Sequence, residues 1–171
     1  MTEARGTTAR AAQIDRMATK LRRLTAQRRA LNAAIRAFGD DFDEADWCAA
    51  FASDEVIEIN RVLLVTGGYL ILVNNTIEAV KIGAELAGLT PAEGRRGASG
   101  VIDAIRRDGG ISVEQAETFT SLYGTRNLLQ HASTDVQAGE MRRHVKLLLH
   151  SLPGFVRSFT GWLARRGVEL R

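Results

Sequence analysis

The chain has 171 residues, of which 45% are hydrophobic and 25% charged, a composition typical of a soluble globular protein with its own core. Cys48 is the only cysteine, which excludes an intrachain disulfide, and the basic N-terminus lacks the apolar segment of a secretory signal. The most apolar stretch, residues 62–73, is shorter than a bilayer-spanning helix, so we expect a cytoplasmic protein without a membrane partner.

Charge is distributed in blocks along the chain, although the net charge is only +3. Residues 1–38 hold nine basic and two acidic side chains, and residues 40–60 hold eight acidic and no basic ones. Residues 126–171 are basic again, with eight basic against three acidic side chains. Basic blocks of this kind attract a phosphate backbone, but solvated helix faces give the same pattern.

A long first helix is predicted over residues 8–38. Its apolar residues recur at alternating spacings of three and four, and only Arg28 interrupts the row. This a/d pattern predicts that the helix packs along a narrow seam, either on the rest of the protein or on a partner chain. The basic residues on its back are either solvated or in contact with RNA. The seam consists of Ile14, Met17, Leu21, Leu24, Leu31, Ile35 and Phe38.

An acidic segment and a strongly apolar helix follow. The aspartates of residues 40–53 could bind a divalent cation, but the segment lacks the glycine and distal glutamate of an EF-hand loop. It is therefore predicted to form a solvated linker that also caps the next helix. Residues 54–80 predict the buried central helix of a bundle, with Gly67 and Gly68 as a kink or a close helix contact. Five polar residues of this helix need partners if they are buried: Asn60, Arg61, Asn74, Asn75 and Glu78.

The second half of the chain predicts further helices at about 100–108, 112–131 and 138–151. Ser112 and Gln115 have capping-box spacing, and Pro153 is expected to kink or break the last helix before it resumes. No stretch shows the alternation of a strand. The fold is therefore predicted to be all-α, an antiparallel bundle of four or five helices. Its parts are a basic N-terminal helix at 1–39, an acidic linker at 40–53 and the bundle at 54–171.

The strongest candidate for chemistry is the stretch RNLLQH at residues 126–131. Asn127 and His131 are four residues apart and share a helical face, so the amide can orient the imidazole. Arg126 lies about 140° round the helix axis from His131. The arginine and the histidine therefore act together only through a long side chain, a frayed helix end or a second copy of the chain.

From about residue 54 to residue 159 the chain resembles the HEPN superfamily, especially the HepT-like toxins. In these helical bundles the penultimate helix carries an arginine followed by a histidine five to seven residues later, as at Arg126 and His131. The resemblance implies a metal-independent endoribonuclease without cofactors, active as a homodimer and often the toxin of a toxin–antitoxin or defence pair. It implies that Arg126 binds the scissile phosphate, that His131 is the general base or acid, and that Asn127 positions the histidine or the RNA.

These implied roles suit the chemistry of RNA cleavage, which needs a proton acceptor with a pKa near neutrality and a cation beside the phosphate. One position departs from the HepT pattern. Ser133 stands where HepT proteins have the tyrosine that their nucleotidyltransferase antitoxins modify. A different HEPN subfamily is therefore expected, and the kind of antitoxin stays open.

Three basic residues after the motif, Arg142, Arg143 and Lys146, are predicted to line a track for RNA, although an exposed helix face has the same composition. No metal site is predicted, because the histidines lack acidic companions at ligand spacing. Two alternatives to the ribonuclease stay open. The first is a non-catalytic HEPN-like module that binds a partner nucleotidyltransferase or nucleic acid, and the second is a helical regulatory protein. For the ribonuclease we expect a homodimer that packs the 112–131 helices near a two-fold axis.

Overall fold

The described part of the chain consists of helices and turns, without a strand. A computed structural model describes residues 2–39, 41–90, 97–131 and 136–170; the side chains of residues 2–7 and of His131 lie outside that description. The predicted all-α class is therefore confirmed. The helices are α1 (Thr2–Ile35), continued by a 3₁₀ turn at Arg36–Phe38, α2 (Glu44–Phe51), α3 (Val56–Leu86), α4 (Ala98–Arg107), α5 (Val113–His131) and α6 (Ala138–Arg165).

The N-terminal helix α1 packs antiparallel against α3 along the predicted seam. Met17 lies against Gly83, and Leu31 lies against Gly68, so the residue numbers of the two helices run in opposite directions. A Cβ atom at Gly68 would lie 3.2 Å from Leu31 Cδ1, which identifies Gly68 as the close helix contact. Met17, Leu24 and Leu31 are at most 2% exposed. The prediction that this helix packs on the bundle is confirmed.

Pro153 was predicted to kink or break the last helix; it lies inside α6 and does not end it, so the predicted break is wrong. Because proline has no backbone N–H, the carbonyl of Leu149 one turn earlier loses its helical partner. Arg28 Nε donates a hydrogen bond to that carbonyl over 3.1 Å. Arg28 is the residue that interrupts the apolar seam of α1. The arginine that interrupts the seam of α1 thus gives the Leu149 carbonyl of α6 the hydrogen bond that Pro153 cannot donate.

The acidic segment after α1 is packed against the protein, where a solvated linker was predicted. Phe42 and Trp47 are 1% and 0% exposed, and their ring centroids are 5.1 Å apart in an edge-on contact. Trp47 Nε1 also donates to the Ala138 carbonyl over 2.7 Å. Asp43 caps α2 by accepting a bond from the Asp46 backbone N–H at 2.8 Å. The aromatic residues between the carboxylates supply the apolar area that docks the segment.

The central helix α3 is buried on one side only. Its side toward α1 and α6 contains core residues such as Val65 and Leu72, both 0% exposed. The other side of its first half presents large apolar side chains to solvent. By length and composition alone, α3 is long and apolar enough to cross a membrane, a test that core helices of soluble proteins also pass; 22% of its most apolar 18-residue window is buried. Residues 62–73 taken alone are too short to span a bilayer, and the sequence therefore predicted no membrane-spanning helix. In the structure α3 extends beyond this stretch in both directions, from Val56 to Leu86.

The helices that carry the candidate site, α5 and α6, also run antiparallel. The Phe119 and Phe155 rings lie 4.0 Å apart by their centroids, and Thr125 on α5 contacts His144 on α6. The predicted capping box begins α5, since the Ser112 backbone N–H donates to Gln115 and the Gln115 N–H donates to Ser112. The part of α5 that carries Arg126 therefore packs against both α3 and α6.

Candidate functional site

The guanidinium of Arg126 is fixed by polar side chains from α3 and α5. Its Nε donates to Asn74 Oδ1 over 2.5 Å, and its Nη1 donates to Asn127 Oδ1 over 2.8 Å. The guanidinium carbon also lies 5.7 Å from the centroid of the Tyr123 ring, within the range of a cation–π contact. We call these four residues the Arg126 cluster. The side chain is half-buried and oriented by three neighbours.

The positive charge of Arg126 is not neutralised within the described part of the chain. Both of its hydrogen-bond acceptors are neutral amides, and no described carboxylate forms an ion pair with it. Other arginines differ: Arg61 pairs with Glu58 at 2.6 Å, and Arg106 pairs with Asp103 at 2.7 Å. Amide acceptors hold a guanidinium in place without cancelling its charge. Arg126 is therefore prepared to bind an anion.

His131 is the last residue of α5, and its side chain lies outside the described residues. The predicted pairing of Asn127 with His131 therefore stays a prediction. The Asn127 amide oxygen, however, accepts from Arg126. Asn127 therefore orients the arginine, a contact that the sequence reasoning did not assign.

Asn74 belongs to the cluster and was not among the predicted site residues. It comes from α3, 52 positions earlier in the chain than Arg126. Its signal in the sequence was that of a polar residue in a strongly apolar helix, which needs a partner when it is half-buried. The partner's identity depends on how α3 and α5 pack, and no local pattern in the sequence specifies it.

Two of the three residues predicted for RNA binding are engaged by the acidic segment. Arg142 Nε donates to the Phe42 carbonyl over 2.6 Å, and its Nη1 lies 3.2 Å from a carboxylate oxygen of Glu44. Lys146 Nζ lies 3.1 Å from an Asp41 carboxylate oxygen. Arg143 is exposed and forms no hydrogen bond or ion pair with a described residue. Of this set, Arg143 keeps an uncompensated charge.

A buried polar cluster supports the helical turn that precedes Arg126. The Tyr69 hydroxyl donates to the Leu122 carbonyl over 2.8 Å. His144 is 4% exposed, and its Nδ1 lies 3.1 Å from the Glu140 carbonyl, so this nitrogen carries the proton of the neutral ring. Its Nε2 lies 3.4 Å from the Thr125 hydroxyl. Burial lowers the pKa of His144, and the nearby charge of Arg143 lowers it further.

The pKa of His144 predicts a loss of stability in weak acid. Because folding lowers this pKa, the unfolded chain binds a proton first, and the contribution of neutral His144 is lost as pH falls below about 6.5. We expect the melting temperature to drop between pH 8 and pH 5. The drop should be smaller in His144→Asn than in wild type. In the control His150→Asn, at an exposed position, it should be as large as in wild type. An equal drop in all three proteins would show that His144 does not titrate on unfolding.

Among the described residues, no group of three histidine, cysteine, aspartate or glutamate side chains is arranged to hold a metal ion. Comparison of the chain with known protein families, with characterised proteins and with solved structures finds no match. The functional assignment therefore rests on the Arg126 cluster and on the helix that carries it.

Proposed function

We propose that the protein is a metal-independent endoribonuclease in which Arg126 binds the scissile phosphate and His131 transfers protons. One observation carries this proposal. The Arg126 guanidinium is held at 2.5 Å and 2.8 Å by two neutral amide oxygens, without a described carboxylate to cancel its charge. It stands five positions before a histidine on the same helix. An oriented, uncompensated cation five positions before a histidine suits phosphate-ester chemistry better than it suits packing.

The reaction follows from the chemistry of RNA. The 2′-oxygen attacks the neighbouring phosphorus, its proton passes to a base, and the bond to the 5′-oxygen breaks as that oxygen takes up a proton. His131 acts as the base or the acid in this sequence. Arg126 balances the charge that develops on the phosphate oxygens. The upstream product then ends in a cyclic phosphate, or in a 3′-phosphate after hydrolysis.

Asn74, Asn127 and Tyr123 serve as positioning residues in this scheme. The two amides fix Nε and Nη1, and the aromatic ring lies beside the guanidinium carbon at 5.7 Å from the ring centroid. The Nη2 group forms no hydrogen bond with a described residue and is the part of the fork left for a phosphate oxygen. Because the fork is already oriented, binding an anion requires little further loss of side-chain freedom.

The proposal is tested by the cleavage of mixed RNA with purified wild type and His131→Ala. Loss of the proton-transferring group is expected to lower the cleavage rate by about 10²–10⁴-fold. Asn127→Ala is expected to reduce the rate less, because the residue orients and does not transfer protons. Wild-type cleavage should persist in EDTA and give cyclic or 3′-phosphate ends.

The matched control for this experiment is His150→Ala, an exposed histidine on α6 that should leave the rate unchanged. Circular dichroism establishes that each variant is folded. Equal cleavage by wild type and His131→Ala would exclude the proposed mechanism.

The proposal extends to biological context through the resemblance to HepT-like toxins. We place the enzyme in the cytoplasm as the toxin of a toxin–antitoxin or defence pair, with RNA as its substrate and an antitoxin protein as its partner. A nucleotidyltransferase is one such antitoxin, although Ser133 replaces the modified tyrosine and lies outside the described residues. The context predicts a small antitoxin gene beside the gene for this chain, and co-expression of the two genes should relieve growth inhibition.

The exposed apolar side of α3 supports a second candidate function, a non-catalytic HEPN-like module that binds a partner nucleotidyltransferase or nucleic acid. Leu63 and Leu64, for example, are 59% and 67% exposed. Such a module needs the fold and this surface but not an uncompensated Arg126. Full biological activity of Arg126→Ala, with no RNA cleavage by wild type, would favour the module.

A further inference from the structure

One side of α3 combines large apolar side chains with exposure to solvent. We call it the α3 face and define it by Asn60, Leu63, Leu64, Gly67, Ile71 and Asn74. At 100° per residue, these positions lie on one side of the helix. Leu63, Leu64 and Ile71 are 59%, 67% and 52% exposed, and the adjoining Val56 and Ile57 are 74% and 66% exposed. A contiguous exposed apolar surface of this kind marks a site of interaction with a protein or a membrane.

Gly67 is the centre of the α3 face and is open toward solvent. A Cβ atom added there would meet no atom within 4 Å, whereas a Cβ atom at the neighbouring Gly68 would press on Leu31. Glycine inside a helix costs about 1 kcal/mol relative to alanine. No contact with a described residue of the same chain requires this glycine. Because glycine has no side chain, the helix surface is depressed at this position, and the backbone of another helix can approach it closely.

The sequence around Gly67 is symmetric in the residues of the α3 face together with the adjoining, half-buried Leu70. Leu64 and Leu70 lie three positions to either side, Leu63 and Ile71 lie four positions away, and Asn60 and Asn74 lie seven positions away. A two-fold axis through Gly67 brings each of these residues opposite its counterpart in an antiparallel second helix. A self-complementary surface is what an isologous interface between two copies requires.

We propose that a second copy of this chain covers the α3 face, with the two α3 helices packed antiparallel about a two-fold axis at Gly67. The five exposed apolar side chains of the region amount to several hundred Å² in each copy, a large part of the roughly 800 Å² per partner that stable complexes bury. The flanking surfaces of the helices supply the remainder.

Charge favours the antiparallel arrangement over the parallel one. Asp54 and Glu55 precede α3, and Lys81 is exposed near its other end without an ion pair to a described residue. In the antiparallel register the acidic start of one helix comes beside Lys81 of the other copy. A parallel pair would place the two acidic starts next to each other, and like charges at that distance repel.

The proposed interface adds a residue to each candidate site, an extension that rests on the proposed function. Asn60 is exposed and has no hydrogen bond with a described residue. Across the two-fold axis it lies opposite Asn74 of the other copy, whose oxygen holds Arg126 at 2.5 Å. Each chain thus contributes an amide to the Arg126 cluster of its partner. Asn74 and its symmetry mate are separated by about 21 Å along α3.

This arrangement differs from the dimer expected from the motif alone, which packs the α5 helices near the axis. The large apolar side chains that α5 exposes within its described residues are Val113 and Leu128. They lie about 22 Å apart along the helix and form no continuous surface. The α3 face is therefore the better site for a second copy.

The first experiment measures the mass of purified full-length protein by light scattering at micromolar concentrations. Wild type should have about twice the chain mass of 18.7 kDa. Gly67→Glu places an unpaired charge in the interface and should raise the dimer dissociation constant at least a hundredfold, while its helical content stays unchanged because the site is open. Gly124→Glu is the matched control, an exposed glycine of α5 with no atom within 4 Å, and should remain dimeric.

The second experiment tests the register by cross-linking, in a Cys48→Ser background. The double variant Leu63→Cys with Ile71→Cys should form a covalent dimer on mild oxidation, because the antiparallel register brings each cysteine opposite the other type. Each single variant should stay uncrosslinked, since equal residues lie about 12 Å apart along the helix axis. Cross-linking of Leu63→Cys alone would overturn the antiparallel register.

Further outcomes separate this inference from the proposed function. A wild type that is monomeric yet cleaves RNA overturns the α3 interface and leaves the ribonuclease intact. A dimer that depends on Gly67 but cleaves no RNA supports the interface and overturns the ribonuclease. A monomer that sediments with vesicles of phosphatidylcholine and phosphatidylglycerol, and loses that binding in Gly67→Glu, would show that lipid covers the face and would overturn the proposal.

Discussion

Replacing Arg126 by alanine is expected to lower RNA cleavage by about 10²–10³-fold, because it removes the oriented cation that we propose binds the reacting phosphate. The loss should appear in single-turnover rates at saturating enzyme, where binding no longer limits the reaction. Asn74 and Asn127 would lose their donor, but both amides are only half-buried and water can replace it. The melting temperature should therefore change little, which separates lost chemistry from lost folding.

Two further variants sharpen this test. Arg126→Lys keeps a positive charge but cannot donate to both amides through a planar fork, so it should recover only part of the activity. Arg143→Ala is the matched control, because Arg143 is an exposed arginine with no hydrogen bond or ion pair to a described residue. It should weaken RNA binding and its salt dependence while leaving the saturated rate near wild type. An Arg126→Ala enzyme with the wild-type rate would exclude a catalytic role for this cation.

Deleting residues 1–38 is expected to leave a chain that does not fold. The deletion removes Met17, Leu24, Leu31 and Phe38 from the core, all at most 2% exposed. Truncating one buried side chain of this size typically lowers the free energy of unfolding by about 2–5 kcal/mol. A whole domain is stable by only about 5–15 kcal/mol, so the loss of four such side chains exceeds what the fold can tolerate. Circular dichroism of the purified truncation measures the result. An unchanged melting temperature would show that the bundle does not depend on α1.

A point variant gives the same test without removing the helix. Leu24→Ala should lower the free energy of unfolding in urea by about 2–5 kcal/mol. Leu128→Ala, at a position that is 46% exposed, is the matched control and should lower it far less. Both proteins are compared at one concentration, because the proposed dimerisation would add a concentration-dependent contribution to stability. Equal losses in the two variants would contradict the assigned packing of α1.

Much of the fold follows from local patterns in the sequence. The three- and four-residue spacing of apolar positions predicted α1 and the side of it that packs, because helical periodicity is a property of a single segment. The capping box at Ser112 and Gln115 was recognisable for the same reason, since its bonds join residues three apart. The Arg126 motif was also visible in the sequence, with its arginine and asparagine adjacent in the chain.

The tertiary structure decided the features that depend on distant partners. The carbonyl that Pro153 leaves without a helical partner accepts a hydrogen bond from Arg28, 121 positions away, and Arg126 is fixed by Asn74 from another helix. Whether a basic residue carries a free charge was decided in the same way. Arg142 and Arg143 are neighbours of identical type, yet only Arg142 meets the acidic segment that Trp47 docks. The energy of a charge depends on what lies within a few ångströms of it, and packing sets those neighbours.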